Sequence, residues 1–459
     1  MASADQSTGA EPSRGAVFYA FAEAARTAEL PDHVRAKTEM QVLDTVAAIV
    51  SGAALEAGRA AQAYVTGLGG RGDATILGTR IKASMVDVAF ANGMSAHADE
   101  SDDSHETSQT HPGCAILPAV LAVAEARGST GDQVLRATWM AYELIIRFGE
   151  AVAPAMSFAR SSRSCHAHTG LFGAGLAAGS LMGFRADQFR VLANYLAQEA
   201  SGLTTWRLDT AHTLKSYTFS GMPAANGTRA AALVDAGFTG DGDVLDTSDR
   251  NIFDAISPDC DISRLDPPYD SFRILETDIK KYSVGFPIAA PVAALEALID
   301  THGLAPGAVS ALRVRYHLDW YNVIGDENRM ADLNLRYCLA ATLLNGKLDF
   351  ATTHDGARME DPAILDVAER IAFLPPEDGQ DRFEARIEVD TPQGALSERQ
   401  GLMVKGRMGN PMTLEEVRAK AHDLLSSVMT GAKADDVIAA VADLPRAKDI
   451  GALVALCAP

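Results

Sequence analysis

The stretch TGLFGAGLAAGSLMGF, residues 169–184, carries no charged side chain and is built almost wholly from small and apolar residues. A segment of that kind reads as a buried helix. Its glycines lower helix propensity, but they let neighbouring backbones approach closely. The same texture runs through the N-terminal half. RAKTEMQVLDTVAAIVSGAALEAG (35–58) places Met40, Leu43, Val46, Ala47 and Val50 at helical spacing, with Gly58 as the expected stop. Further helices are expected in ASMVDVAFANGMSAHA (83–98), HPGCAILPAVLAVAEARG (111–128), GDQVLRATWMAYELIIRFGEAV (131–152), ADQFRVLANYLAQEASGL (186–203) and GMPAANGTRAAALVDAGF (221–238). Pro112 suits the first turn of its helix, and Gly128 the position beyond its end.

Near residue 240 the texture changes. SALRVRYHLDW (310–320) and FEARIEVDT (383–391) alternate like half-buried strands, with helical patterns at 291–304 and 333–346. Helices return after residue 405, where Thr413 and Glu416 form a capping box. With 459 residues the chain is too long for one core of ordinary size. The expected fold is mainly α. A large helical domain is made from residues 16–267 together with 403–459. An α+β lid domain, 268–402, is inserted in it, and a disordered arm, 1–15, precedes it.

Charge and cysteine usage narrow the partners. The net charge is −20 and aromatic content only 6%, which excludes nucleic acid as the natural partner and disfavours anionic membranes. No apolar run reaches the roughly 18–20 residues that a membrane span needs. The five cysteines include no C-x-x-C pair, so a disulfide framework and a cysteine zinc site are not expected. The N-terminus has no secretory pattern, and a cytoplasmic location is the expectation.

Against this apolar background stands HADESDDSHETSQTHPG (97–113), with three His, three Asp and two Glu in seventeen residues. It can be a metal site, a solvated acidic loop or the catalytic wall of an enzyme that needs no metal. His97, Asp99, Asp102, Asp103, His105 and His111 supply enough ligands for a metal, but no H-E-x-x-H is present. Counted from Asp99 as an EF-hand loop, the block has Ser104 where Gly belongs and Thr110 where Glu belongs. Other candidates stand before apolar helices. His166 and His168 are core histidines or functional ones. Lys215, Lys280 and Lys281, the last followed by Tyr282, are solvated end groups or carboxylate anchors. A Cys165–His166 nucleophile pair is disfavoured, because sequence neighbours rarely face each other.

ANGMSAHADESDDSHETSQTHPG, HTGLFGAGLAAGSLMG, LKSYTFSGMPAANG and KKYSVGFPIAAP occur in an order that resembles the MmgE/PrpD family over about residues 36 to 400. The resemblance implies a metal-independent lyase without cofactor. It would remove a proton next to a carboxylate of a hydroxylated di- or tricarboxylic acid, with 2-methylcitrate-like dehydration leading. Epimerisation of an iminodisuccinate type or decarboxylation of a cis-aconitate type is the alternative. A metal-dependent hydrolase using the His/Asp block is the rival of another class. Carried over by position, His111, His166, Asp102 and Lys215 are the catalytic residues. Asp103, Ser104 and Lys281 are carried over likewise as substrate-binding, and no metal ligand is expected. Glu100, His168 and Tyr282 stand beside them as further substrate-binding candidates, with His168 the alternative to His166 as second active-site His. Glu100 stands where the family usually has Asp, and Ser101 where it has an aromatic. The resemblance also implies a homodimer formed through the helical domain. The chemistry is coherent: histidine supplies acid and base near neutrality, and lysines hold carboxylates and the charge that develops beside them.

Overall fold

The computed structural model describes residues 12–458 apart from 71, 158–159, 210, 247–249 and 327. Most of the expected N-terminal arm, residues 1–11, lies outside the described residues, and Ser13 already caps the first helix. The N-terminal part runs α1 (Arg14–Ala25), α2 (Asp32–Gly52), α3 (Glu56–Leu68), α4 (Met85–Ala96), α5 (Pro112–Arg127), α6 (Gly131–Met156), α7 (Cys165–Leu181), α8 (Ala186–Glu199), α9 (Thr213–Ser216) and α10 (Met222–Asp235). Local chemistry sets many of these ends. Ser84 accepts from Asp87 N, Thr130 and Gln133 form a capping box, and Gly128 closes α5 at φ 64°. Gly58 does not stop a helix as expected. It lies inside α3, where a Cβ would strike the backbone oxygen of Gly52, so its role is close approach.

The glycine-rich segment is α7, buried from Cys165 to Ser180 and packed against α5, α6 and α10. A Cβ on Gly227 of α10 would stand 2.6 Å from Gly175 N of α7, so only glycine permits that crossing. The close approach seals Leu171, Phe172 and Leu176 in the core. Each such side chain contributes roughly 1.5–3 kcal/mol by leaving water. Among the described residues, no single helix is long and apolar enough to cross a membrane.

Two short strands, β1 (Ala74–Thr75) and β2 (Lys82–Ala83), pair between α3 and α4. The larger sheet has the order β4-β3-β5-β6, from β3 (Ala311–Arg315), β4 (Ile371–Leu374), β5 (Ala385–Thr391) and β6 (Gly394–Gln400). β3 runs parallel to β4 and antiparallel to β5, with Val314 opposite Ile387. Its inward residues Leu312, Val314, Ile387 and Val389 pack with the helices Ala289–His302 and Leu335–Asn345 in a second core. The first core takes α1, α2, α5–α8 and the C-terminal helices Leu414–Ser426 and Gly431–Ala442.

The chain passes between the cores twice, along 277–283 and 401–411. These crossings lie side by side, with Ile279 N donating to Gly406 O at 3.0 Å. Arg407 ties them down, bonding Asp278 at 2.7 Å and Glu106 of the 97–113 loop at 2.5 Å.

Candidate active site

The 97–113 loop joins α4 to α5 and, apart from its exposed tip at Glu106 and Thr107, is largely buried although it is acidic, because its carboxylates have partners. Asp99 accepts from Ser101 N and Oγ and from Ser51 Oγ of α2. Asp103 accepts from Gly113 N at 2.8 Å and Tyr142 Oη at 2.7 Å. Ser101 O accepts from Lys420 Nζ, itself 2.7 Å away and paired with buried Asp44 at 2.6 Å. Ser104 joins the crossing segment through a backbone bridge to Asp278. The solvated-loop reading fails on this burial.

Asp102 is the centre. One oxygen, Oδ2, lies 2.9 Å from Nδ1 of both His97 and His111. A carboxylate there fixes the tautomer of each ring, with the proton on Nδ1 and the lone pair on Nε2. Burial by itself would raise the Asp102 pKa; His97, His111 and Lys280 outweigh it and hold the carboxyl well below its usual range. His97 is fully buried, and burial pushes its pKa down to about 4 against the pull of Asp102. His111 keeps 16% of its side chain exposed, so of the two rings it is the one that reaches a substrate.

His166, from the first turn of α7, has its ring centroid 5.3 Å from that of His111. Burial, then His111 and His97, lower its pKa well below the ordinary value, so it is neutral near pH 7. His97 and His166 both stack on Phe219, at 4.6 and 4.0 Å between centroids. Phe219 sits in a widened π turn, Tyr217–Gly221. The cause is Pro223, which offers no N–H to the carbonyl four residues back and would clash with it in an α-helix. Gly221 in this turn meets Gly93 of α4 so closely that a Cβ on Gly93 would stand 2.9 Å from its Cα.

The cations face the imidazoles. Lys215 Nζ pairs with Glu100 Oε1 and lies 5.5 Å from the Phe219 ring centre. Lys280 Nζ bonds the Glu100 backbone oxygen at 2.8 Å and lies 3.4 Å from Glu100 Oε2 and 3.6 Å from Asp102 Oδ1. Burial alone would raise the Glu100 pKa; Lys215, Lys280 and His212 hold it well below the usual range. His212 adds its Nδ1 3.7 Å from Glu100 Oε1, while its Nε2 meets Asp332 Oδ2 at 3.0 Å. His354 stands 3.7 Å from the same Asp332 oxygen. Asp332 belongs to the sheet-containing part, so the site is built from both parts of the molecule.

The structure thus brings together His111, His166, Asp102, Lys215 and Glu100. Lys281 and Tyr282 stand apart from them: Lys281 is 40% exposed and both side chains bond Glu296. The neighbouring Lys280 faces Glu100 in their place, because successive side chains of an extended segment point to opposite sides. Ser104 lines a cavity of about 20 Å³ with Lys281, Tyr282 and Arg407. His168 turns away to the Ser164 carbonyl at 3.0 Å. Asp103 is packed beneath the loop against Tyr142 rather than facing the lysines. Sequence reasoning had not singled out Phe219, Asp332 or His354. Phe219 lies in a quoted motif and was open to notice, whereas Asp332 and His354 reach the site only through tertiary packing.

Among the described residues, two sets of side chains come close enough for a shared metal ion: His97, Asp102 and Cys114, and His105, Glu150 and Glu276. Neither suits one. In the first, Asp102 is committed to two imidazoles, and burial pushes the Cys114 thiol pKa well up, away from the thiolate a metal needs. In the second, the Arg273 guanidinium already pairs with Glu276 at 2.8 Å and Glu150 at 3.4 Å.

Two family models match the chain, the MmgE/PrpD N-terminal domain over residues 17–264 and the MmgE/PrpD C-terminal domain over 282–445. No curated protein matches it.

Proposed function

Since the chain belongs to the MmgE/PrpD family, whose members are dehydratases and related lyases, we propose that it is a metal-independent dehydratase of a hydroxylated di- or tricarboxylic acid, 2-methylcitrate-like. The observation that carries this reading is Asp102 holding Nδ1 of His111, which leaves the lone pair of a partly exposed imidazole on Nε2, while Lys215 and Lys280 gather on the neighbouring Glu100 and Asp102. In this reading Lys215 and Lys280 hold a substrate carboxylate. His111 Nε2 removes the proton from the adjacent carbon, and the lysines stabilise the enediolate-like charge. The C–OH bond breaks, the alkene forms, and the imidazolium returns its proton to the departing hydroxide as water. His166, neutral and beside His111, orients the hydroxyl. The proposed assembly is a homodimer, to be checked by sedimentation.

Purified protein is offered 2-methylcitrate, cis-aconitate and iminodisuccinate, with and without chelator. The expected outcome is an unsaturated acid from the first, unaffected by the chelator and lost in His111→Ala. Wild-type turnover by H111A sinks the assignment. Loss of activity on chelation that is restored by metal favours the hydrolase rival. One observation favours epimerisation as the second reading. His111 and His166 stand 5.3 Å apart, close enough to serve two faces of one carbon. Racemisation of iminodisuccinate in D2O, with deuterium incorporated at the α-carbon, would select it.

A further inference from the structure

The charges around the lysines already cancel. Glu100, Asp102 and Asp332 stand against Lys215, Lys280 and His212. Glu100 is shared by both lysines, so a carboxylate arriving there meets another carboxylate in the position it needs. Buried like charges that close disfavour each other strongly. Either the arriving group binds elsewhere or Glu100 moves.

The surroundings provide a second place for Glu100. His212 Nδ1 is buried, has no hydrogen-bond partner among the described residues, and lies 3.7 Å from Glu100 Oε1. Closing to a normal hydrogen bond takes about 1 Å of travel. Burial opposes charge on His212, but Asp332 and then Glu100 raise its pKa, which favours the imidazolium with a proton on Nδ1 as well as on the Nε2 that meets Asp332. Both residues are non-glycines in left-handed backbone conformation, φ 53° for Glu100 and 57° for His212. Such conformations persist only where the surroundings impose them. Lys280 would not lose its anchor in the move, because its 2.8 Å bond is to the Glu100 backbone oxygen.

We propose that Glu100 is a two-position gate, which neutralises Lys215 in the arrangement seen here and passes to His212 Nδ1 when a substrate carboxylate takes Lys215. Asp332 is the positioning residue, holding the receiving imidazole from the other part of the molecule. The gate favours anions able to displace Glu100 from Lys215. It rests on the reading of this site as a carboxylate site.

The test uses malonate as an unreactive dicarboxylate probe, titrated calorimetrically into the full chain. Glu100→Gln is expected to bind malonate at least tenfold more tightly than wild type. His212→Asn is expected to bind it at least fivefold more weakly, because Glu100 has nowhere to go. The double variant should match E100Q, since the receiver is needed only by a charged Glu100. The gate is overturned if E100Q binds no tighter, or if H212N weakens binding equally in both backgrounds. A crystal structure of wild type with malonate needs no variant. Glu100 is expected on His212, and Glu100 still on Lys215 beside bound malonate overturns the gate. If neither wild type nor E100Q binds malonate, the carboxylate site itself is overturned, a failure distinct from that of the gate.

Discussion

Asp102 and Asp103 are neighbours with opposite fates. Asp102 is held ionised by two imidazoles and Lys280, so Asp102→Asn removes the charge that keeps both rings in one tautomer. It is expected to lower kcat by about 10²–10⁴ with little change in KM, read by steady-state kinetics. At Asp103 burial dominates. The hydrogen bonds from Tyr142 and Gly113 offset it only in part, Asp102 and Asp44 add to it, and the pKa is pushed up to about 7. A carboxyl with a raised folded-state pKa binds its proton more tightly when folded. Its stabilising contribution is complete below about pH 4 and is lost as pH rises through about 7. Urea midpoints of wild type should therefore fall relative to Asp103→Asn between pH 5 and 8. A difference that does not vary with pH would show that Asp103 is ionised throughout. The acidic block was legible in the sequence as a candidate site because charge stood out against an apolar chain. Which of the adjacent Lys280 and Lys281 faces it was not, since that depends on the Ser104–Asp278 bridge, a long-range register.

At the scale of elements, the helix Leu414–Ser426 bears on the site from a distance in sequence. Its capping box was readable from Thr413 and Glu416 and is present. Its delivery of Lys420 beneath Ser101 was not readable, because nothing local signals a partner some three hundred residues away. Thr413→Ala is expected to cost about 1 kcal/mol. Lys420→Met leaves Asp44 buried without its cation and is expected to cost about 3–5 kcal/mol. Denaturant titration separates the two; equal losses would mean that Lys420 only caps the helix surface. The buried α7 was legible because its small residues exclude other readings. Gly58 misled because a glycine that ends a helix and one that lets two backbones touch look alike in sequence. β4 and β6 went unread for different reasons: IAFL is short, and GALSERQ is a polar edge strand whose inner face is only half-buried.

For the molecule as a whole, the Arg407 side chain joins the two crossings to the 97–113 loop. Arg407→Ala removes its bonds to Asp278 and Glu106 and frees the segment that carries Lys280. Faster proteolysis within 401–411 and a raised KM are expected, with kcat changed less. Unaltered proteolysis would show that the crossings hold without it. The mainly α fold was visible in the helical periodicities and the late strands. The meeting of Asp332 with His212 was not, since it depends on how the two parts pack.

Because the chain leaves and returns through adjacent segments, most of what lies between them is a detour from the path of the larger core. Such a detour can be lengthened, trimmed or exchanged over evolutionary time while His111 and Asp102 keep their places. Its replacement would have to bring its own acid for His212. Selectivity then becomes a modular property, inherited with the detour and separable from the proton chemistry.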